Sequence, residues 1–183
     1  MNMYGVGKFC HLIVLLLVGC AQPRPADPAA GAVLLKPFKN GLQTALKAGL
    51  ADGPANAISV CKTQAPMIAL NQSVNGVRMG RSSHRLRNPA NQAPAWVQPL
   101  MEGYLADHAS RQPKAVVLSD HRHGYVEPIV LQAVCVMCHG QQLEPGIAAQ
   151  INKLYPEDKA TGFETGDLRG VFWVEYPAPD SAP

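Results

Sequence analysis

The chain has 183 residues, with 16 lysines and arginines against 13 aspartates and glutamates, for a formal charge of +3. Less an amino-terminal leader, that length suits one domain with a single hydrophobic core and is too short for two. A charge balance this close to neutral selects no partner class and offers no footing for a nucleic-acid-binding protein.

Lys8 precedes an apolar run from Phe9 to Val18, and Gly19-Cys20 follows it. The run is too short to cross a bilayer, which takes ~20 residues. A small residue ahead of a cysteine marks a cleavage site, so residues 1–19 read as a secretion signal. Leu17-Val18-Gly19-Cys20 resembles a bacterial lipobox. That resemblance implies cleavage before Cys20, acylation of Cys20, and an extracytoplasmic protein lipid-anchored to a bacterial membrane and facing the periplasm. Several acyl chains meet the need for more than one anchoring signal. Ala21 stands where an inner-membrane retention signal would place Asp, which tilts the expectation towards the outer membrane. An ordinary secretory signal cut nearby is the alternative, and Cys10 is discarded either way. Lys8 is the leader's single charged residue, so 15 cations remain against 13 anions.

Residues 20–32 are rich in proline and alanine, lack an amphipathic period, and read as a tether. A domain over 33–177 and a short tail over 178–183 follow. Leu34, Leu35, Phe38, Leu42, Leu46 and Leu50 mark one face of a first helix, which Gly53-Pro54 ends. Ile58, Cys61, Ala65 and Ile68 share a face of a second, which turns Cys61 inward. Pro66 should kink or shorten that helix. Residues 77–81 read as a short strand and Asn88-Pro89-Ala90-Asn91 as a turn. A third helix presents Val97, Leu100, Met101 and Tyr104, with Trp96 at its start. Residues 115–118 and 124–131 look like paired strands around 120–123. Residues 145–154 form a last helix, and 171–176 a closing strand with large side chains on both faces. The sum is an α+β domain, a small antiparallel sheet with helices packed on one side.

Cys135-Val136-Met137-Cys138-His139 carries the chemistry. C-x-x-C-H is the attachment sequence of c-type haem: Cys135 and Cys138 each form a thioether bond to a porphyrin vinyl group, and His139 reaches the iron as proximal ligand. A closed zinc site would need a second close-spaced pair, whereas Cys10, Cys20 and Cys61 stand alone. Once Cys10 is removed and Cys20 acylated, Cys61 is the thiol left over in an oxidising compartment. It is either an inert, buried small hydrophobe or a haem ligand. Met67, Met79, His84, His108, His121 and His123 are the other distal candidates, each with a plainer reading as a core, turn or surface residue. Arg78, Arg81, Arg85 and Arg87 with His84 read as a solvated basic face, one arginine of which is available to a haem propionate.

Several stretches then go together: Ala57-Ile58-Ser59-Val60-Cys61 with Ala65-Pro66, Gly80-Arg81, residues 87–91, Trp96, residues 135–140, residues 155–162 and residues 166–170. Over most of the chain beyond the leader they resemble a family of bacterial c-type haem proteins with a PAS-like fold, found alone or as input domains of signalling proteins. The resemblance implies iron held between His139 and Cys61. An anionic sulfur opposite histidine stabilises ferric iron, so it further implies a low-potential centre. Reduction could then release Cys61 and admit a gas. The functions implied are extracytoplasmic redox or gas sensing, or low-potential electron transfer to an unidentified protein partner. A peroxidase-like enzyme and a conventional monohaem cytochrome c electron carrier are the alternatives. Six-coordinate iron leaves no position for a substrate, and a late motif between strands departs from the small all-helical cytochromes.

Overall fold

The computed structural model describes residues 24–118 and 122–179. The stretch read as a secretion signal, Cys20 with its expected acylation, His121 and residues 180–183 of the tail lie outside them. The first helix, α1 (Pro28–Ala51), starts earlier than composition suggests, inside the stretch read as a tether. Two local features set that start. The Asp27 carboxylate accepts from the Ala29 amide at 2.8 Å, and Pro28 sits in the first turn, where its missing N–H costs nothing. The first turns also hide their periodicity, because they are built from small residues. Gly31 lies so close to the sheet that a Cβ there would come within 2.3 Å of the Tyr125 side chain.

The second helix, α2 (Pro54–Gln72), returns along α1. Pro66 does not shorten it. The proline leaves the Lys62 carbonyl without a helical donor, but contacts with α1 on either side hold the helix in place. Ala57 packs on Gly49 before the proline, and Ile68 packs on Gly41 after it.

Four strands follow: β1 (Arg78–Ser82), β2 (Lys114–Val117), β3 (Arg122–Val130) and β4 (Leu168–Pro177). They form one antiparallel sheet in the order β1-β4-β3-β2. The α+β class is borne out, with one correction: the helices do not gather on one side. Met79, Tyr125, Val174 and Tyr176 pack against Leu35 and Phe38 of α1. Their strand neighbours Val126 and Val171 point the other way, against Val97, Met101 and Tyr104, the last two on α3 (Gln98–Ala106). Because side chains alternate along a strand, the unbroken apolar stretch in β4 requires cover on both faces.

The remaining elements cluster beside the β1 edge. A 3₁₀ turn (Ala133–Cys135) runs into the short α4 (Val136–His139), and α5 (Pro145–Leu154) packs on α2 through Ile58, Ile147, Ile151 and Tyr155. The β3–β4 register slips between Ile129, opposite Gly170, and Val130, opposite Leu168, so Arg169 is an unpaired bulge residue. A bulge breaks the in–out alternation of its strand and re-aims the side chain it carries.

Candidate cofactor site

A cavity of about 470 Å³ opens between α2, the β1 edge, the loop after β1 and the motif segment. Cys61, Cys135, Cys138 and His139 all line it, so the fold brings the leftover thiol to the motif. All three cysteines are half-buried and free of disulfides. Phe38, Ile58, Leu131 and Phe172 are among the apolar residues of its wall. Among the described residues no three His, Cys, Asp or Glu side chains converge in a way that would hold a bare metal ion.

The motif is tied down from behind. The Gly140 amide donates to the Val136 carbonyl at 2.8 Å and closes α4, while the Phe163 amide donates to the His139 carbonyl at 3.0 Å. The Phe163 ring meets the His139 ring edge to face, with centroids 6.4 Å apart. His139 Nδ1 lies 2.7 Å from the Ala160 carbonyl oxygen. A carbonyl can only accept, so that geometry places the proton on Nδ1 and leaves Nε2 with its lone pair. Burial, seconded by the Arg169 and Arg87 cations, pushes the His139 pKa down to about 2, against a smaller opposing pull from the Ala160 carbonyl. The ring is therefore a neutral donor, which is the state a metal ligand requires.

Arg87 fastens the motif to the loop beyond α5. It bonds Asp158 at 3.1 and 3.2 Å and donates to the Cys138 carbonyl at 2.6 Å. Burial raises the pKa of the Cys138 thiol, with a smaller opposing effect from Arg87.

The other distal candidates separate cleanly. Met79 lines the cavity, but it is a buried member of the α1-facing core. Met67, His84 and His108 are exposed, and His123 is buried with its ring against Tyr176; none of these four lines the cavity. The basic run also divides. Arg81 and Arg87 face the cavity, Arg78 is exposed beside Glu175, and Arg85 binds carbonyls at Lys159 and Thr161. Arg169, which sequence periodicity does not single out, also lines the cavity, turned there as the bulge residue of β4. Its signal in the sequence is the neighbouring Gly170, whose φ of +156° and closeness to the Ser82 carbonyl admit no side chain.

Comparison with known proteins bears on the fold and the family. The crystal structure of the cyanobacterial heme-protein Tll0287 is similar at a TM-score of 0.58 and 28% sequence identity, covering 80% of this chain and 91% of that one. The PAS-like fold expected from the sequence is thereby borne out. No curated protein matches the chain. A family model described as Tll0287-like matches residues 26–177, which is nearly the whole of the folded part, and the protein belongs to the Tll0287-like family.

Proposed function

We propose that this protein carries haem c, joined by thioether bonds to Cys135 and Cys138, with His139 as proximal and Cys61 as distal iron ligand. The observation that carries the reading is the convergence of Cys61 with the C-x-x-C-H segment on one apolar cavity. The donor set suits the group: two free thiols, an imidazole held neutral with Nε2 available, and a third thiol on α2. The similar structure is that of a heme-protein, which supports the same reading.

Haem in such a site supplies one-electron chemistry, and sulfur opposite imidazole favours its ferric state. The chain's own residues do the rest. The Ala160 carbonyl fixes the tautomer and orientation of His139, Arg87 holds the motif backbone through the Cys138 carbonyl, and the apolar part of the wall suits a porphyrin face. In this reading the protein, anchored through acylated Cys20 and facing the periplasm, senses redox state or a gas, or passes electrons at low potential to a protein partner. Cys61 would be the movable part: with haem bound, reduction would weaken the hold of a thiolate and could open a position for a gas.

Optical and electron paramagnetic resonance spectra of the holoprotein in both oxidation states test this. A low-spin ferric signal with a sulfur ligand is expected, and Cys61→Ala should abolish it while covalent haem content stays the same. An unchanged ferric spectrum in that variant would exclude Cys61 and turn attention to Met79. Carbon monoxide binding by the ferrous protein is expected if Cys61 leaves; without it, the gas-responsive role is wrong and the carrier role stands. Cys20→Ser should release the protein from the membrane fraction.

A further inference from the structure

We propose that Arg169 and Arg81 hold the two carboxylates of the cofactor, while Asp158 occupies Arg87; this rests on the haem reading above. Three guanidinium groups line the cavity, those of Arg81, Arg87 and Arg169. Asp158 pairs with Arg87 alone, and no salt bridge joins Arg81 or Arg169 to a carboxylate among the described residues. Arg169 is directed there by the bulge in β4, and Arg81 by its place on the edge strand β1, opposite Phe172. Arg169 is only partly satisfied by protein. It donates to the Arg85 carbonyl at 3.2 Å, its guanidinium lies over Phe163 at 5.5 Å, and its buried Nε has no partner.

Like charges gathered around an apolar space are costly unless an anion completes the set. The strain is visible in Arg169, whose pKa falls to about 9 through burial first and then through Arg81 and Arg87. Haem brings two carboxylates, which matches the two unpaired guanidinium groups in number, and the forked guanidinium binds a carboxylate through two parallel hydrogen bonds. The same cations act on His139, so beside a bound haem they would oppose the electron donation of a thiolate and raise the potential that the sulfur lowers.

The test uses haem-loaded protein and three readouts: covalent haem per chain, the propionate bending band in the resonance Raman spectrum, and the midpoint potential. Arg169→Gln and Arg81→Gln should each shift the band and lower the potential, because removing a cation favours ferric iron. The double variant should shift both further, and Arg169→Lys should restore the potential in part. Arg111→Gln is the control, since Arg111 also has an unpartnered buried Nε but lies off the cavity. If Arg169→Gln fails to mature, Arg81→Gln decides alone, its side chain standing half-buried on an edge strand. A wild-type band and potential in the glutamine variants would overturn the assignment and leave Arg169 a packing partner of Phe163. Wild-type protein without covalent haem would instead overturn the haem reading itself.

Discussion

Arg87 is the point at which the motif, the loop after β1 and the segment beyond α5 are joined. Its side chain is 12% exposed and that of Asp158 is 5% exposed, so the pair is close to fully desolvated. Removing one partner of a buried pair strands the other charge, which costs about 3–5 kcal/mol. Arg87→Gln should therefore lower the unfolding free energy of the holoprotein by about 3 kcal/mol, measured by urea denaturation. Asp158→Asn added to it should cost little more, because the charge it removes is already unpaired. At this scale the sequence discloses the candidate cofactor residues well. Cys135, Cys138 and His139 announce themselves by local spacing, and Cys61 is conspicuous as the thiol left over. The arginines are not legible in the same way. Arg78, Arg81, Arg85 and Arg87 lie close together in sequence and read as one solvated face, yet strand alternation and the following loop divide them: Arg78 stays beside Glu175 at the surface, Arg85 binds backbone carbonyls, and Arg81 and Arg87 reach the cavity.

Among the elements, β4 does the most to shape the site, and Gly170 is the residue on which its shape depends. At φ +156° a side chain is already strained, and a Cβ there would lie 2.0 Å from the Ser82 carbonyl oxygen of the neighbouring β1. Gly170→Ala should destabilise the protein by on the order of 3 kcal/mol, read from thermal unfolding. Because β1 would have to move away from β4, and the bulge with it, the same change should alter the midpoint potential if Arg169 holds a cofactor carboxylate. The strands and helices themselves were largely legible from their periodicity. What was not legible follows from contacts between elements. The start of α1 depends on the Asp27 cap and on Gly31 meeting Tyr125, and the continuity of α2 through Pro66 depends on the glycines of α1.

The molecule as a whole has two apolar layers that enclose the sheet, one under α1 and one under α3, and two smaller clusters beside the cavity. The small clusters hold Cys138 in one case and Cys135 with Val136 in the other. Attached haem would thus bridge the parts of the fold that have the least apolar cover of their own. Cofactor binding and folding are coupled wherever one group ties such parts together. A chain that cannot attach haem, made by Cys135→Ala with Cys138→Ala, should keep its sheet but become less stable, above all in acid. His139 has an ordinary pKa of 6.5 when unfolded and about 2 when folded. Between those values the unfolded chain binds a proton that the folded chain refuses. Stability of the haem-free variant therefore falls as pH drops below 6.5, and goes on falling until the folded imidazole itself titrates. Urea midpoints at pH 7 and pH 5 check this, the expected drop being larger in the haem-free variant than in the same variant carrying His139→Gln. An equal drop in the two would assign the acid sensitivity to the carboxylates instead, because the imidazole is the group that distinguishes them.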